Sequence, residues 1–252
     1  MRLPRRLGHG EGAELVEHLG ELRARLFVCS VAVGAGFVAG YLVHARLVQL
    51  LESPLPGDRK LVTYGVAEPF LTSIQVSLAA GLALALPVVL WQLWSFFAPA
   101  FEPHLQRAIA ACVAFATMLF AGGLAFGYGV ALPAALKYLT TYDHTLYTIQ
   151  IRARDYFSFS IMVLVAVGLV FELPAFVVGL VRLGIISSRT LRTNRRIGYV
   201  AVAVIAVALP GVDPVTTAME MVPLMLLFEA SIWLSVLVER RRNTAHAAAG
   251  LA

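Results

Sequence analysis

The chain has 252 residues, of which 59% are hydrophobic and 14% are charged, and its mean hydropathy is +0.79. Soluble domains are about half apolar and about a quarter charged, so this composition excludes an ordinary soluble protein and predicts an all-α polytopic membrane protein. The formal net charge of +5 does not indicate a nucleic-acid partner, because the basic residues follow membrane topology.

The segment before the first long apolar run predicts an amphipathic helix over about residues 13–25. Leu15, Leu19, Leu22 and Leu26 recur at intervals of four, three and four residues, which places them on one face of a helix. We expect this helix to lie along the cytoplasmic membrane surface and to lead into the first span. The first 25 residues have no apolar core, so we expect no cleaved signal peptide.

Six apolar runs follow, and a spanning helix needs about 20 residues to cross roughly 30 Å of hydrocarbon. The fifth run provides only about 20 Å of helix. Pro210 and Pro214 separate it from the sixth run, so we expect short fifth and sixth helices. The whole chain, 1–252, is predicted to be one integral membrane domain. Its spans cover about residues 26–43, 70–98, 108–136, 156–181, 197–209 and 216–238, with a cytoplasmic tail over 239–252.

Basic residues are concentrated on one side of this six-span topology. By the positive-inside rule, that side is cytoplasmic, so both termini are predicted to be cytoplasmic. The basic residues on that side are Arg2, Arg5, Arg6, Arg23, Arg25, Arg107, Arg182, Arg189, Arg192, Arg195, Arg196, Arg240, Arg241 and Arg242.

Metal and cofactor sites are not predicted. Cys29 and Cys112 both lie inside apolar runs and lack metal-ligand spacing, so they are interpreted as small core residues. The six His are scattered and form no paired ligand motif.

Glu172 is an acid inside the fourth apolar run, and Pro174 follows two positions later. A carboxylate at this depth costs a few kcal/mol or more, depending on its surroundings. We therefore expect Glu172 to face a partner, a water-filled recess or a ligand. The alternative is a protonated structural acid that bonds another helix.

Several strings in fixed order carry a family resemblance. They are His18 to Leu26, Glu52-Ser53-Pro54-Leu55, Pro87 with Trp91 to Pro99, Phe126-Gly127-Tyr128 with Pro133, Phe171-Glu172-Leu173-Pro174, Asp213-Pro214, and Pro223 to Glu229. Their order and spacing over about residues 15–238 resemble TatC, the multispanning receptor subunit of the twin-arginine protein translocase.

The resemblance implies a non-catalytic function in the cell's inner membrane. TatC proteins bind twin-arginine signal peptides of folded precursors at the cytoplasmic face. They organise single-span TatA- and TatB-type partners for export driven by the proton-motive force, and the resemblance implies a homo-oligomer in the receptor complex.

The resemblance also implies a signal-peptide site. Glu21, Arg23 and Phe96 match the family's acidic, basic and aromatic positions, and carboxylates bind guanidinium groups through strong, directional hydrogen bonds. The family usually has a second acid after a His in the first cytoplasmic loop. Here that position is Leu105, and Glu102 is the candidate replacement.

Further residues match positions inside or beyond the spans. The resemblance places Glu172 in an intramembrane polar site, with Gln92 and Tyr128 as candidate neighbours. Pro54 and Pro174 are interpreted as structural. The predicted contact with partner subunits consists of Asp213, Thr216, Thr217 and Glu220.

Two other classes of function account for part of the sequence. A proton- or cation-coupled secondary transporter would use Glu172, Asp213 and Glu229 as its relay, but it does not account for Glu21. An intramembrane aspartyl protease needs two neighbouring membrane aspartates, whereas Asp143 lies in a polar loop. No serine- or zinc-protease motif is found, so the chain is predicted not to be an enzyme.

Overall fold

The computed structural model describes residues 15–57, 60–97, 105–142, 146, 149–182, 185–209 and 214–249. This part of the chain is helical, apart from an isolated parallel bridge between Val62 and Arg152. The predicted all-α class is therefore confirmed. The elements are α1 (Leu15–Leu42), α2 (His44–Glu52), α3 (Glu68–Phe97), α4 (Leu105–Phe126), a π-helical turn (Gly127–Ala131), α5 (Leu132–Thr141), α6 (Ala153–Phe171), α7 (Leu173–Arg182), α8 (Ser188–Thr193), α9 (Arg195–Ala208) and α10 (Pro214–Ala249).

Within the described residues, five helical segments are long and apolar enough to cross a membrane. A protein with several such segments is a multi-pass membrane protein. The predicted fifth span corresponds to α9, whose 14 residues give about 21 Å of helix, and it is too short to be counted among them. The five segments are Leu19–Leu42, Glu68–Phe96, Ala110–Thr141, Ala153–Val181 and Pro214–Glu239.

The first and last helices differ in length from the sequence-based expectation. The predicted surface helix and first span form one helix, α1, which runs from Leu15 to Leu42. The prediction of a short sixth helix was wrong, because α10 has 36 residues and includes most of the predicted tail. Pro223 lies inside α10 without ending it, and the alanines near Ala249 have the highest helix propensity.

The chain forms two packing units, residues 1–50 with 67–117 and residues 51–66 with 118–252. In the first unit α1 and α3 run antiparallel through glycine contacts. A Cβ placed on Gly36 would lie 2.6 Å from the Gly81 carbonyl oxygen, and one on Gly40 would lie 2.9 Å from that of Ser77. The two backbones therefore approach as closely as they do because these positions carry no side chain.

In the second unit α9 packs against α10. Val202 and Ala206 of α9 and Leu209, which directly follows α9, form a buried cluster with Leu224 of α10, and the partly buried Phe228 packs against it. This contact fixes the short helix by apolar packing along one face.

Alanine at Gly36 should separate α1 from α3. Because the added Cβ would meet backbone atoms of Gly81, no side-chain rotation can relieve the overlap, and we expect a loss of about 1–3 kcal/mol of stability. Thermal unfolding of the purified chain in detergent should show a lower Tm for Gly36→Ala. Gly34→Ala is the matched control in the same helix, since its Cβ would meet nothing within 4 Å. Equal Tm values for the two variants would contradict this account of the packing.

Candidate functional site

A polar cluster joins the N-terminal part of α1 to the C-terminal end of α3. Arg25 donates from Nε and Nη2 to Glu21 Oε1, at 3.1 and 2.5 Å. Its Nη1 donates to the carbonyl oxygen of Gln92 at 3.2 Å and to Gln92 Oε1 at 3.4 Å. Its Nη2 also donates to the Ser95 carbonyl oxygen at 3.0 Å, and the guanidinium carbon lies 5.9 Å from the centre of the Phe96 ring.

The position of this cluster follows from helix geometry. Glu21 and Arg25 are four residues apart, so they share a face of α1. Ser95 lies in the last turn of α3, where carbonyl groups lack partners within the helix and a cation is stabilised. The Arg25 guanidinium therefore binds the end of α3 and the Glu21 carboxylate at once.

The structure brings Glu21, Phe96 and Gln92 together around Arg25, while Arg23 is exposed. Arg25 lies in the string from His18 to Leu26 that carries the family resemblance, but it was not predicted as a site residue. The four-residue spacing from Glu21 was the signal that could have indicated it. Leu105, which stands at the position of the family's second acid, is the first residue of α4. Glu102, the candidate replacement for that acid, lies outside the described residues.

Glu172 occupies a break in the fourth predicted span. It follows the last residue of α6 and precedes α7, and its own N–H bonds the carbonyl oxygens of Leu169 and Val170. The break has a direct cause in Pro174, which has no N–H and whose ring collides with the carbonyl group four residues earlier, that of Val170. Pro174 is buried, in agreement with a structural role.

One oxygen of the Glu172 carboxylate, Oε1, is fully buried within the second unit. No residue in the described part of the chain hydrogen-bonds its Oε1. A buried acceptor without a partner is costly in hydrocarbon, so this oxygen is a candidate contact point for a ligand or a second chain. Gln92, the predicted neighbour, bonds Arg25 instead, and its pairing with Glu172 stays a prediction.

Tyr128 lies in the π-helical turn and contacts the loop that follows α2. Its hydroxyl is 2.6 Å from Ser53 Oγ, and Tyr156 donates to the Leu51 carbonyl oxygen at 2.5 Å. Pro54 belongs to the turn closed by Leu55 N–H on the Glu52 carbonyl oxygen. The two tyrosines thus hold this loop to the second unit.

An ionic cluster between α9 and α10 was not found from the sequence. Tyr199 donates a hydrogen bond to Glu229 Oε1, and Arg195 Nη1 lies 3.5 Å from Glu229 Oε2. The sequence separates these residues by more than a span, so only the pairing of α9 with α10 reveals the contact.

The residues predicted to contact partner subunits differ in how deeply their side chains are buried. Thr216 and Glu220 are buried, at 0% and 2% exposure, and Thr217 is half-buried. Asp213 lies outside the described residues. Of the three described side chains, Thr217 is the most accessible to another chain.

These features define a class of protein before any comparison is made. Several apolar helices, polar clusters at helix ends and a buried acid at a helix break define a polytopic α-helical membrane protein. The described residues contain no group of three His, Cys, Asp or Glu side chains able to hold a metal ion.

Comparison with known proteins gives the family. The family model "TatC: Sec-independent protein translocase protein (TatC)" matches residues 17–223. Relatives named Sec-independent protein translocase protein TatC include those of Deinococcus radiodurans, 34% identical with 88% of this chain and 86% of the relative covered, and of Aquifex aeolicus, 32% identical with 91% and 97% covered. A crystal structure titled as the twin arginine translocase receptor TatC has 32% identity and a TM-score of 0.74, and the match covers 88% of this chain and 99% of that one.

The chain belongs to the TatC family. It is therefore a subunit of the Sec-independent, twin-arginine protein translocase, and this family is not an enzyme family. The resemblance inferred from the ordered strings is confirmed.

Removing the Tyr128 hydroxyl should loosen the loop after α2. Tyr128→Phe loses the hydrogen bond to Ser53, worth about 1 kcal/mol, so local opening should become about fivefold more frequent. Hydrogen exchange of the amides in residues 51–57, measured by mass spectrometry, should accelerate by that factor. Tyr142→Phe removes an exposed hydroxyl and serves as the control. Unchanged exchange in Tyr128→Phe would show that the loop is held by other contacts.

Proposed function

We propose that this chain is the signal-peptide receptor of its translocase. It binds the twin-arginine signal peptides of folded precursors at the cytoplasmic face, and it organises TatA- and TatB-type single-span partners for export driven by the proton-motive force. The observation that carries the proposal is the Glu21 carboxylate, which Arg25 holds through two hydrogen bonds and whose side chain is 19% exposed. A carboxylate held in one orientation is suited to a guanidinium ligand, because charge-assisted hydrogen bonds between the two groups are strong and directional.

The proposed topology has six spans in the inner membrane of the cell, with α9 as the fifth span. Both termini are proposed to lie in the cytoplasm. Exposed apolar side chains along α9, including Ile197, Val200, Val204 and Val207, support its contact with lipid. A helix of about 21 Å is accommodated by local thinning of the bilayer or by a recessed tip. The arginines at the start of α9 agree with a cytoplasmic end.

Glu172 is proposed to meet the more distal part of the signal peptide or a partner helix. Its buried Oε1 supports this role, because a ligand hydroxyl, amide or protonated group would satisfy the oxygen within the membrane. A relay for small cations centred on Glu172 is not proposed, since the chain belongs to a protein translocase family.

Partner subunits are proposed to dock along α9 and the start of α10. Thr217 offers a polar group, and Val215, Met219 and Val222 are exposed beside it. Thr216 and Glu220 would reach a partner only if docking opened their buried surroundings. More than one copy of the chain is proposed to assemble in the receptor complex.

Photocrosslinking in membranes tests the receptor site. A photoreactive residue replaces Leu22, which is 46% exposed and adjacent to Glu21, and signal peptides carry either Arg-Arg or Lys-Lys. Crosslinks should form preferentially with Arg-Arg. Glu21→Gln should lower them about tenfold or more, because a hydrogen bond to a charged group contributes about 1.5–3 kcal/mol.

Glu52→Gln is the control for this experiment, since it removes an exposed acid at the end of α2. It should leave the preference for Arg-Arg unchanged. Equal crosslinking of the two peptides to the unsubstituted chain would remove the receptor proposal. An equal loss in Glu52→Gln would show a general effect of charge instead of a site at Glu21.

Restoring the family's second acid should strengthen binding. Leu105→Glu adds a carboxylate at the start of α4, and a second charge-assisted bond should raise the affinity for the Arg-Arg peptide about tenfold. Leu105→Gln is the matched uncharged control. Dissociation constants of fluorescent Arg-Arg peptides measure this change in affinity. An unchanged affinity in Leu105→Glu would mean that another acid already fills this role.

A further inference from the structure

The cluster at the end of α3 assigns a role to Arg25 that goes beyond the proposed receptor function and rests on it. We infer that Arg25 is the positioning residue of the receptor acid: it occupies Glu21 Oε1, so that Oε2 accepts the guanidinium of the signal peptide. Every hydrogen bond that Glu21 makes through its side chain within the described residues ends on Oε1.

Arg25 is built into this position by all of its donors. A guanidinium has five N–H groups, one on Nε and two on each terminal nitrogen. Nε donates to Glu21, Nη1 donates to the carbonyl and the side-chain oxygens of Gln92, and Nη2 donates to Glu21 and to the Ser95 carbonyl oxygen. The five N–H groups thus make five hydrogen bonds to four oxygen atoms, since Glu21 Oε1 accepts two of them. The Arg25 side chain is only 20% exposed.

This saturation argues against a second interpretation, in which Arg25 is a placeholder that the signal peptide displaces. Displacement would leave the oxygens of Gln92 and Ser95 without their donor. It would also remove a cation from the C-terminal end of α3, where it is favoured. The more economical arrangement keeps Arg25 in place and adds the ligand to the other oxygen.

The geometry of the carboxylate explains how it holds two guanidinium groups. Each carboxylate oxygen has two lone-pair sites, and the two donors from Arg25 fill those of Oε1. No described residue donates to Oε2, whose two sites suit a pair of N–H groups from one further guanidinium. A lysine ammonium presents its three donors around a single nitrogen and cannot reproduce this fork.

The charge balance has a consequence for specificity. Arg25 neutralises Glu21, and Arg23 adds a positive charge nearby, so net attraction contributes little to binding at this end of α1. Selection of arginine over lysine must then come from the direction of the hydrogen bonds to Oε2. Directional selection requires a carboxylate that does not rotate, and Arg25 supplies this constraint.

The test compares two dissociation constants on one preparation of the full chain in lipid nanodiscs, for an Arg-Arg and a Lys-Lys signal peptide. The measured quantity is the dissociation constant of the Lys-Lys peptide divided by that of the Arg-Arg peptide. This ratio does not depend on the fraction of folded protein, so a merely structural role leaves it unchanged. Arg25→Lys keeps the charge but loses the fork, and we expect the ratio to fall about tenfold, towards one. Arg46→Gln, on α2, is the control and should keep the original ratio.

Gln92→Ala provides a second variant, which decides the question if Arg25→Lys does not accumulate. It removes one acceptor of Nη1 and leaves Glu21 and Arg25 in the chain, and the ratio should fall about threefold. An unchanged ratio in these variants overturns the positioning role and leaves the receptor function standing. A tighter Arg-Arg complex overturns it in favour of the placeholder. A ratio of one in the unsubstituted chain overturns the receptor function and the role of Arg25 together.

Discussion

In a membrane, the end of a helix is the place where backbone carbonyls lose their partners, and the cluster around Arg25 forms at such an end. One guanidinium satisfies a carbonyl in the last turn of α3 and a carboxylate on α1, so it ties the C-terminal end of α3 to the N-terminal part of α1. The same antiparallel pair is brought together by Gly36 and Gly81 further along. The close approach of the backbones sets the distance across which Arg25 reaches α3. Glu21, the proposed receptor acid, is therefore held by packing as well as by charge.

Proline acts differently at three places in the second unit, and local context explains the difference. At Pro174 the lost hydrogen bond ends α6, and Glu172 occupies the resulting break. At Pro133, the second residue of α5, the missing N–H falls in the first turn of the helix, directly after the π-helical turn that contains Tyr128. At Pro223 α10 continues unbroken. Of these three prolines, Pro174 is the one that ends a helix beside a polar side chain of a candidate site.

The spans could be predicted because hydropathy over about 20 residues is a property of the local sequence. The break at Glu172 was not predicted, because the fourth span was taken as one helix, although Pro174 two residues later is the local signal that indicates it. The contacts that build the polar clusters could not be predicted from the sequence. Arg25 reaches α3 only because Gln92 and Ser95 lie at its end, and this depends on how far α3 extends and on its register with α1. The length of α10 was missed for a related reason, because arginines after an apolar run mark the end of a span but not the end of a helix.

A receptor that uses one acid with a built-in arginine differs physically from one that uses two acids. With two acids, each guanidinium of the ligand meets its own carboxylate, and binding responds strongly to charge and to salt. In the proposed receptor site, Leu105 stands in place of the second acid, and Glu21 and Arg25 form a nearly neutral pair. If the proposal is correct, the ligand's first guanidinium is recognised by the direction of hydrogen bonds. The affinity of this receptor should therefore depend less on ionic strength than that of a two-acid site, and more on the rigid joining of α1 to α3.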